Sequence, residues 1–399
     1  MTGAERLVLE LLSAHIRGEE MTELPKDMDW EAVLQIAQIH GLTGILWYQC
    51  REALRDNPGI LTQLHRGFLS DAFRDTCRGQ DFREVADALT AAGIPVLSMK
   101  GMLLRRDYPV PQLRTMGDVD LVIRPEDRSR SHEVMTGLGF SCMVDNHAVW
   151  TYTRDVVTYE IHDHMMYEDL ANSVDYRGYF DRVWEHAAPG PDGVWIPEAG
   201  YHFLYLMVHN AKHTMNKGNG FRAYLDLVFF CRGEGRNLDW PRIARELEKL
   251  RLLEFTKTCF ALCESWFGVK MPIPGRALEE DFLEEITEKT FRDGLFGLEN
   301  RENRTGGSAK AIRRSRLPYG LAAVKVTLHK LFPPYRDMQL IPWYSFVDGR
   351  PWLLPVAWIY RFFYCLRHKS GHSMALLEEP YTCREEIKER QAMLSRWGL

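Results

Sequence analysis

Up to residue 92 the apolar side chains recur at helical intervals, the mark of helices that bury one face. Leu7, Leu9, Leu11 and Leu12 fall on a first helix. Trp30, Val33, Leu34 and Ile36 fall on a second, which Asp29 can cap and His40-Gly41-Leu42 ends. A longer helix spans about Leu61 to Ala92, with Leu64, Phe68, Phe73, Phe82, Val85, Ala86 and Leu89 as its stripe. Gly93 and Pro95 close it.

The period then changes. Val96-Leu97-Ser98-Met99 reads as a short buried strand that ends at Lys100-Gly101. A helix begins at Met102 and breaks at Pro109 and Pro111, since proline lacks a donor. Asp118 to Ile123 reads as a second strand, Pro125 opens a helix to Gly137, and Gly139-Phe140 opens another strand. Val149 to Tyr152 and Val156 to Ile161 form a hairpin turning at Arg154-Asp155, with Thr158, Glu160 and His162 pointing one way. These strands make a small mixed sheet with helices on one side, and the long helix is expected to pack on it.

Residues 198 to about 300 return to helix. Tyr201, Leu204, Leu206, Met207 and Val208 lead into His209-Asn210-Ala211-Lys212-His213, Arg222 to Phe230 starts another helix, and Ile243, Leu247 and Leu250 form a third stripe. Residues 301–312 have linker composition. In the aromatic tail, Pro351 to Leu366 is too short and too interrupted by Arg361 to span a membrane, and it reads as a core helix in preference to a membrane-surface helix.

Chemistry enters through the polar residues on this frame. Asp118 and Asp120 share one strand face, while Val119 and Leu121 share the other. Two carboxylates side by side on an apolar strand repel unless a cation offsets them, and hard oxygen ligands suit Mg²⁺. At Lys100 and Gly101 a strand passes into a helix, where N–H groups, an ammonium and close backbone approach favour a phosphate. Arg114 precedes Asp118 by one short loop and suits bidentate phosphate contact. His209 and His213 stand one helical turn apart, but Asn210 occupies the place where a zinc-protease pattern needs Glu. Arg222 and Asp226, also one turn apart, fit a helical ion pair as well as a cleft.

A net charge of -5 argues against a general nucleic-acid binder. None of the eight cysteines forms a Cys-x-x-Cys pair, which excludes zinc-ribbon spacing and leaves core thiols of a reducing compartment. Glu5, Arg6 and Glu10 interrupt any signal-like segment, and no apolar run reaches the ~20 residues of a membrane span. A cytoplasmic location is therefore expected.

Taken in order, Lys100-Gly101, Arg114, Gly117-Asp118-Val119-Asp120 and Glu160-Ile161-His162 resemble the nucleotidyltransferase superfamily built on the DNA polymerase β palm. The closer resemblance is to the bacterial uncharacterised nucleotidyltransferase family, and it extends to Phe-Pro-Pro at 332–334 and Leu-Pro before Trp358. Lys100-Gly101 stands where the superfamily usually has Gly-Ser. The resemblance implies an α+β fold, with an N-terminal helical region at 1–92, a nucleotidyltransferase palm at 93–197, a helical domain completing the cleft at 198–300, and a linker and tail at 301–399.

It further implies that Asp118, Asp120 and Glu160 are catalytic and hold Mg²⁺ (or Mn²⁺), while Lys100, Gly101 and Arg114 bind the NTP. His162, His209, Lys212, His213, Arg222 and Asp226 would face the acceptor. The implied reaction transfers an NMP from the NTP to a small-molecule, sugar-phosphate or similar acceptor and releases pyrophosphate. Alternatives are a toxin–antitoxin type of enzyme that transfers AMP to protein, or a nucleotide-binding module without turnover. Three mutually repelling carboxylates weigh against the latter.

Overall fold

The computed structural model describes the chain except residues 26, 146–148, 168, 169, 171, 191, 217, 296–305, 316, 339–341, 348, 369–376 and 379. Helices α1 (Gly3–Arg17), α2 (Trp30–His40) and α3 (Thr43–Cys50) come first. Thr2 and Glu5 form a reciprocal capping box at α1, and Asp29 accepts from the Ala32 N–H at α2. Both helices end on a left-handed glycine, Gly18 and Gly41. Helix α4 (Pro58–Ala91) has 34 residues and is therefore about 50 Å long.

One mixed sheet follows, in the order β3-β4-β5-β2-β1-β7-β6. Its strands are β1 (Leu97–Ser98), β2 (Asp118–Val122), β3 (Ser141–Asp145), β4 (Val149–Arg154), β5 (Val157–His162), β6 (Ala187–Pro189) and β7 (Trp195–Pro197). Strands β2 and β5 pair in parallel, as do β1 and β7, and the remaining pairs are antiparallel. The β6–β7 hairpin was not legible in the periodicity, because three residues per strand show no alternation to read. Short helices α5 (Gly101–Leu104) and α7 (Tyr176–Phe180) and the longer α6 (Arg128–Gly137) connect the strands.

The two faces of the sheet differ because strand side chains alternate. Val119 and Leu121 of β2 and Tyr159 and Ile161 of β5 pack against Phe82, Val85 and Leu89 of α4 and Met135 of α6. The long helix thus lies on the aspartate-bearing sheet, as its stripe suggests. Phe73 is an exception; it sits on the exposed side of α4.

Beyond the sheet come α8 (Ala199–Asn216), α9 (Phe221–Arg232), α10 (Trp240–Lys249), α11 (Leu253–Phe267) and α12 (Glu280–Asp293). The tail holds α13 (Gly306–Ser315), α14 (Tyr319–Leu331), α15 (Tyr335–Met338), α16 (Leu354–His368) and α17 (Arg384–Trp397). The main apolar core draws Leu11 and Leu12 of α1, Leu46 of α3, Phe203 of α8, Phe229 of α9, Phe260 of α11 and Trp397 of α17 into one cluster. Packing therefore crosses the boundaries at 92 and 198 that the sequence suggests.

Two expectations about the tail change. Residues 306–312, read as linker, belong to helix α13, whose Ile312 packs with Ala322, Val326 and Ile387; residues 301–305 lie outside the described residues. The 351–366 segment is a helix, but not a core helix. Val356, Ile359, Phe362 and Phe363 are more than half exposed, and Ala357 is buried. Among the described residues no helix is long and apolar enough to cross a membrane.

Leu89 is fully buried between α4 and the sheet. Leu89→Ala is expected to cost about 2–5 kcal/mol of stability by urea denaturation. A loss under about 1 kcal/mol would show that the α4–sheet contact does not hold the fold together.

Candidate active site

The parallel register of β2 and β5 sets Asp118 beside Thr158, Asp120 beside Glu160, and Val122 beside His162. Alternation then places Asp118, Asp120, Glu160 and His162 on the sheet face turned away from α4. Helices α8 and α9 lie across from that face. Between them is a cleft of about 610 Å³. All twelve residues singled out in the sequence line it: Lys100, Gly101, Arg114, Asp118, Asp120, Glu160, His162, His209, Lys212, His213, Arg222 and Asp226.

Asp120 is the electrostatic centre. Its Oδ1 accepts from the Lys100 ammonium at 2.5 Å and lies 3.1 Å from His162 Nε2, which is also 3.5 Å from Glu160 Oε2. Burial would raise the Asp120 carboxyl, but Lys100 and His162 outweigh it and hold the group well below the usual carboxylate range. Burial disfavours the charged forms of Lys100 and His162 too. Asp120 overcomes this at Lys100, and hydrogen bonds to Asp120 and Glu160 overcome it at His162, so both stay raised. Asp118 goes the other way. Burial, then Asp120 and Glu160, push its carboxyl up.

Donor atoms of Asp120, Glu160 and His162 lie within 4.8 Å of one another, close enough to share one ion. Two carboxylates and an imidazole suit a divalent cation, and Asp118 adds a further carboxylate on the same strand face. The residues present therefore fit a metal. The compact cluster includes His162, which the sequence placed at the acceptor, while Asp118 stands beside it on the same face.

The turn that delivers Lys100 is strained. Its φ of 53° and ψ of -122° place a non-glycine residue at positive φ. Its backbone N–H donates to His202 Nε2 at 3.3 Å. Gly101 leaves room for two side chains there, since a Cβ would lie 2.6 Å from Met116 Sδ and 2.7 Å from Arg114 Nη1 and both would have to shift. Helix α5 behind it has only four residues.

Arg114 and Asp226 form a buried bidentate pair, with Nε and Nη2 each 2.8 Å from a carboxylate oxygen. Tyr108 donates to the same carboxylate at 2.8 Å, and Arg222 donates to the Thr115 carbonyl at 3.0 Å. Asp226 and Arg222 thus fasten the loop before β2 onto α9. Burial, then the Arg114 charge, lower Arg222 to about 10.

On α8 the His209 and His213 rings meet at 4.4 Å. Burial, then Lys100 and His213, push His209 well below its usual value, so it stays neutral. Tyr205 also lines the cleft and was missed in the sequence. It sits one helical turn before His209, and that spacing was the available signal.

A family model described as uncharacterised nucleotidyltransferase matches residues 26–268, well over half of the chain. No curated protein and no solved structure gives a match. The matched span contains every residue of the cleft named above, and the chain belongs to the uncharacterised nucleotidyltransferase family and is a nucleotidyltransferase.

Proposed function

We propose that the sheet at 93–197 is a nucleotidyltransferase palm whose Asp118, Asp120 and Glu160, with His162 beside them, hold Mg²⁺ or Mn²⁺ together with an NTP. The observation that carries this reading is the β2–β5 register, which puts three carboxylates on one face of a cleft whose other wall is basic. The bound cation would neutralise phosphate charge. Lys100 and Gly101 would approach the phosphates, the first by charge and the second by an open backbone. Arg114 holds the loop through Asp226 and keeps its Nη1 toward Gly101.

The acceptor oxygen would bond to the α-phosphorus as the bond to the β-phosphate oxygen breaks and pyrophosphate leaves. Glu160, the more exposed carboxylate of the cluster, would take the proton of a hydroxyl acceptor. Lys212 and His213 on α8 would face an acceptor that is a small molecule, a sugar phosphate or a similar compound.

The deciding experiment incubates the protein with each α-labelled NTP, Mg²⁺ or Mn²⁺, and a cell extract. Label is expected in a small product, with pyrophosphate released. Label in a protein band instead would move the acceptor to a polypeptide, and none in either would remove the proposed reaction.

Asp118→Ala and Asp120→Ala are each expected to lower transfer at least about a hundredfold with the fold kept, read by activity and circular dichroism. Transfer at wild-type rate by the double variant would refute the metal assignment. Glu160→Gln should lose transfer while keeping most NTP affinity.

The Arg114–Asp226 clamp makes a separate prediction. Asp226→Ala leaves a buried guanidinium unpaired and should cost about 3–5 kcal/mol of stability. Arg222→Ala removes, among its contacts, the hydrogen bond to the Thr115 carbonyl and should cost at least about 1.5–3 kcal/mol. Denaturation together with NTP affinity and acceptor kinetics tests this; unchanged stability with a raised KM for acceptor would return both residues to the acceptor site.

A further inference from the structure

Residues 306–372 contain eleven Lys and Arg against two Asp, a balance of +9 in a chain of net charge -5, so the remainder carries -14. The same segment presents apolar side chains outward. On α14 and just before it, Leu317, Leu321, Val324, Leu328 and Leu331 recur at alternating steps of four and three and are all exposed. The opposite side of α14 is also apolar, with Ala322 and Val326 packed against Ile312 and Ile387. A helix apolar on both sides is normally covered on both.

On α16 and the turn before it, Trp352, Val356, Ile359, Phe362 and Phe363 are 53 to 70% exposed. Phe332, at the end of α14, meets Trp358 of α16 with ring centroids 5.3 Å apart, and Trp358 donates to the Pro333 carbonyl at 2.8 Å. The end of α14 and helix α16 are therefore in contact. Exposed basic residues Lys325, Arg350 and Arg367 accompany them.

We propose that this α14–α16 face lies on an anionic lipid surface, its Leu, Val, Phe and Trp side chains at the acyl boundary and its Lys and Arg against the lipid phosphates. Helices that lie in a bilayer interface pair an apolar face with basic residues in this way. Charge selects this occupant over a second copy of the chain. A two-fold contact would set the same basic segment against itself, whereas anionic headgroups complement it. The face lies on the bilayer without spanning it, since no described helix is long and apolar enough to cross.

The test is co-sedimentation of the full chain with vesicles of phosphatidylcholine alone or mixed with phosphatidylserine, at low and high salt. Binding is expected to the mixed vesicles, at least about tenfold tighter than to phosphatidylcholine, and to weaken with salt. Lys325→Glu with Arg367→Glu, and separately Leu321→Ser with Phe363→Ser, should each weaken it by about tenfold or more. Both pairs are exposed, and an unchanged melting temperature will show that the fold is kept. Absence of binding, equal binding to both vesicles, or undiminished binding by the variants overturns the proposal. A concentration-dependent dimer in sedimentation velocity, lost in Leu321→Ser with Phe363→Ser and accompanied by no vesicle binding, assigns the face to a second copy instead.

Discussion

Parallel pairing of β2 with β5 determines where negative charge collects in this protein. Asp118 and Asp120 come from one strand and Glu160 from its neighbour, and the register puts all three on the face away from α4. A slip of one residue would turn Glu160 into the α4 core and Tyr159 into the cleft. The charge so gathered is costly to bury. Lys100 and His162 offset part of it at Asp120, while burial, then Asp120 and Glu160, push Asp118 upward. The positive φ at Lys100 is tolerated because it sets the ammonium on that carboxylate.

The opposite wall depends on a second electrostatic arrangement. Arg114 and Asp226 are buried and paired bidentately, and Tyr108 and Arg222 add bonds at the same junction. A buried ion pair of this kind contributes little net stability beyond what an apolar pair would give, but it is costly to break. Its effect here is positional. It ties the loop before β2 to α9, so the carboxylate face and the basic helices keep a common spacing. The shared apolar core does the same on a larger scale, since α1, α8, α9, α11 and α17 all contribute to it.

The tail obeys a different rule. Apolar residues on α14 and α16 remain at the surface, where a helix stripe normally turns inward. The apolar pattern of 351–366 predicts a core position, which the structure does not give it. Periodicity identifies an apolar face, but it carries no information about whether another part of the same chain covers that face. Linker composition at 306–312 misled in a similar way, because Gly306, Gly307 and Ser308 start a helix whose later residues pack on α14 and α17.

Local physics made much of this protein legible in its sequence. Capping by Asp29, closure at Gly41, the α4 stripe, the β4–β5 turn near Asp155 and the alternation of Asp118 with Val119 all involve residues a few positions apart. Twelve residues that line the cleft were legible too, by strand face, helix spacing and resemblance. Tertiary structure alone decided their partners. Arg114 meets Asp226 across 112 residues and His162 meets Asp120 across 42, while the β6–β7 hairpin is too short to show a period. Contacts at such separations are set by how whole elements pack, and a one-dimensional pattern of side chains records the faces that pack but not which face meets which.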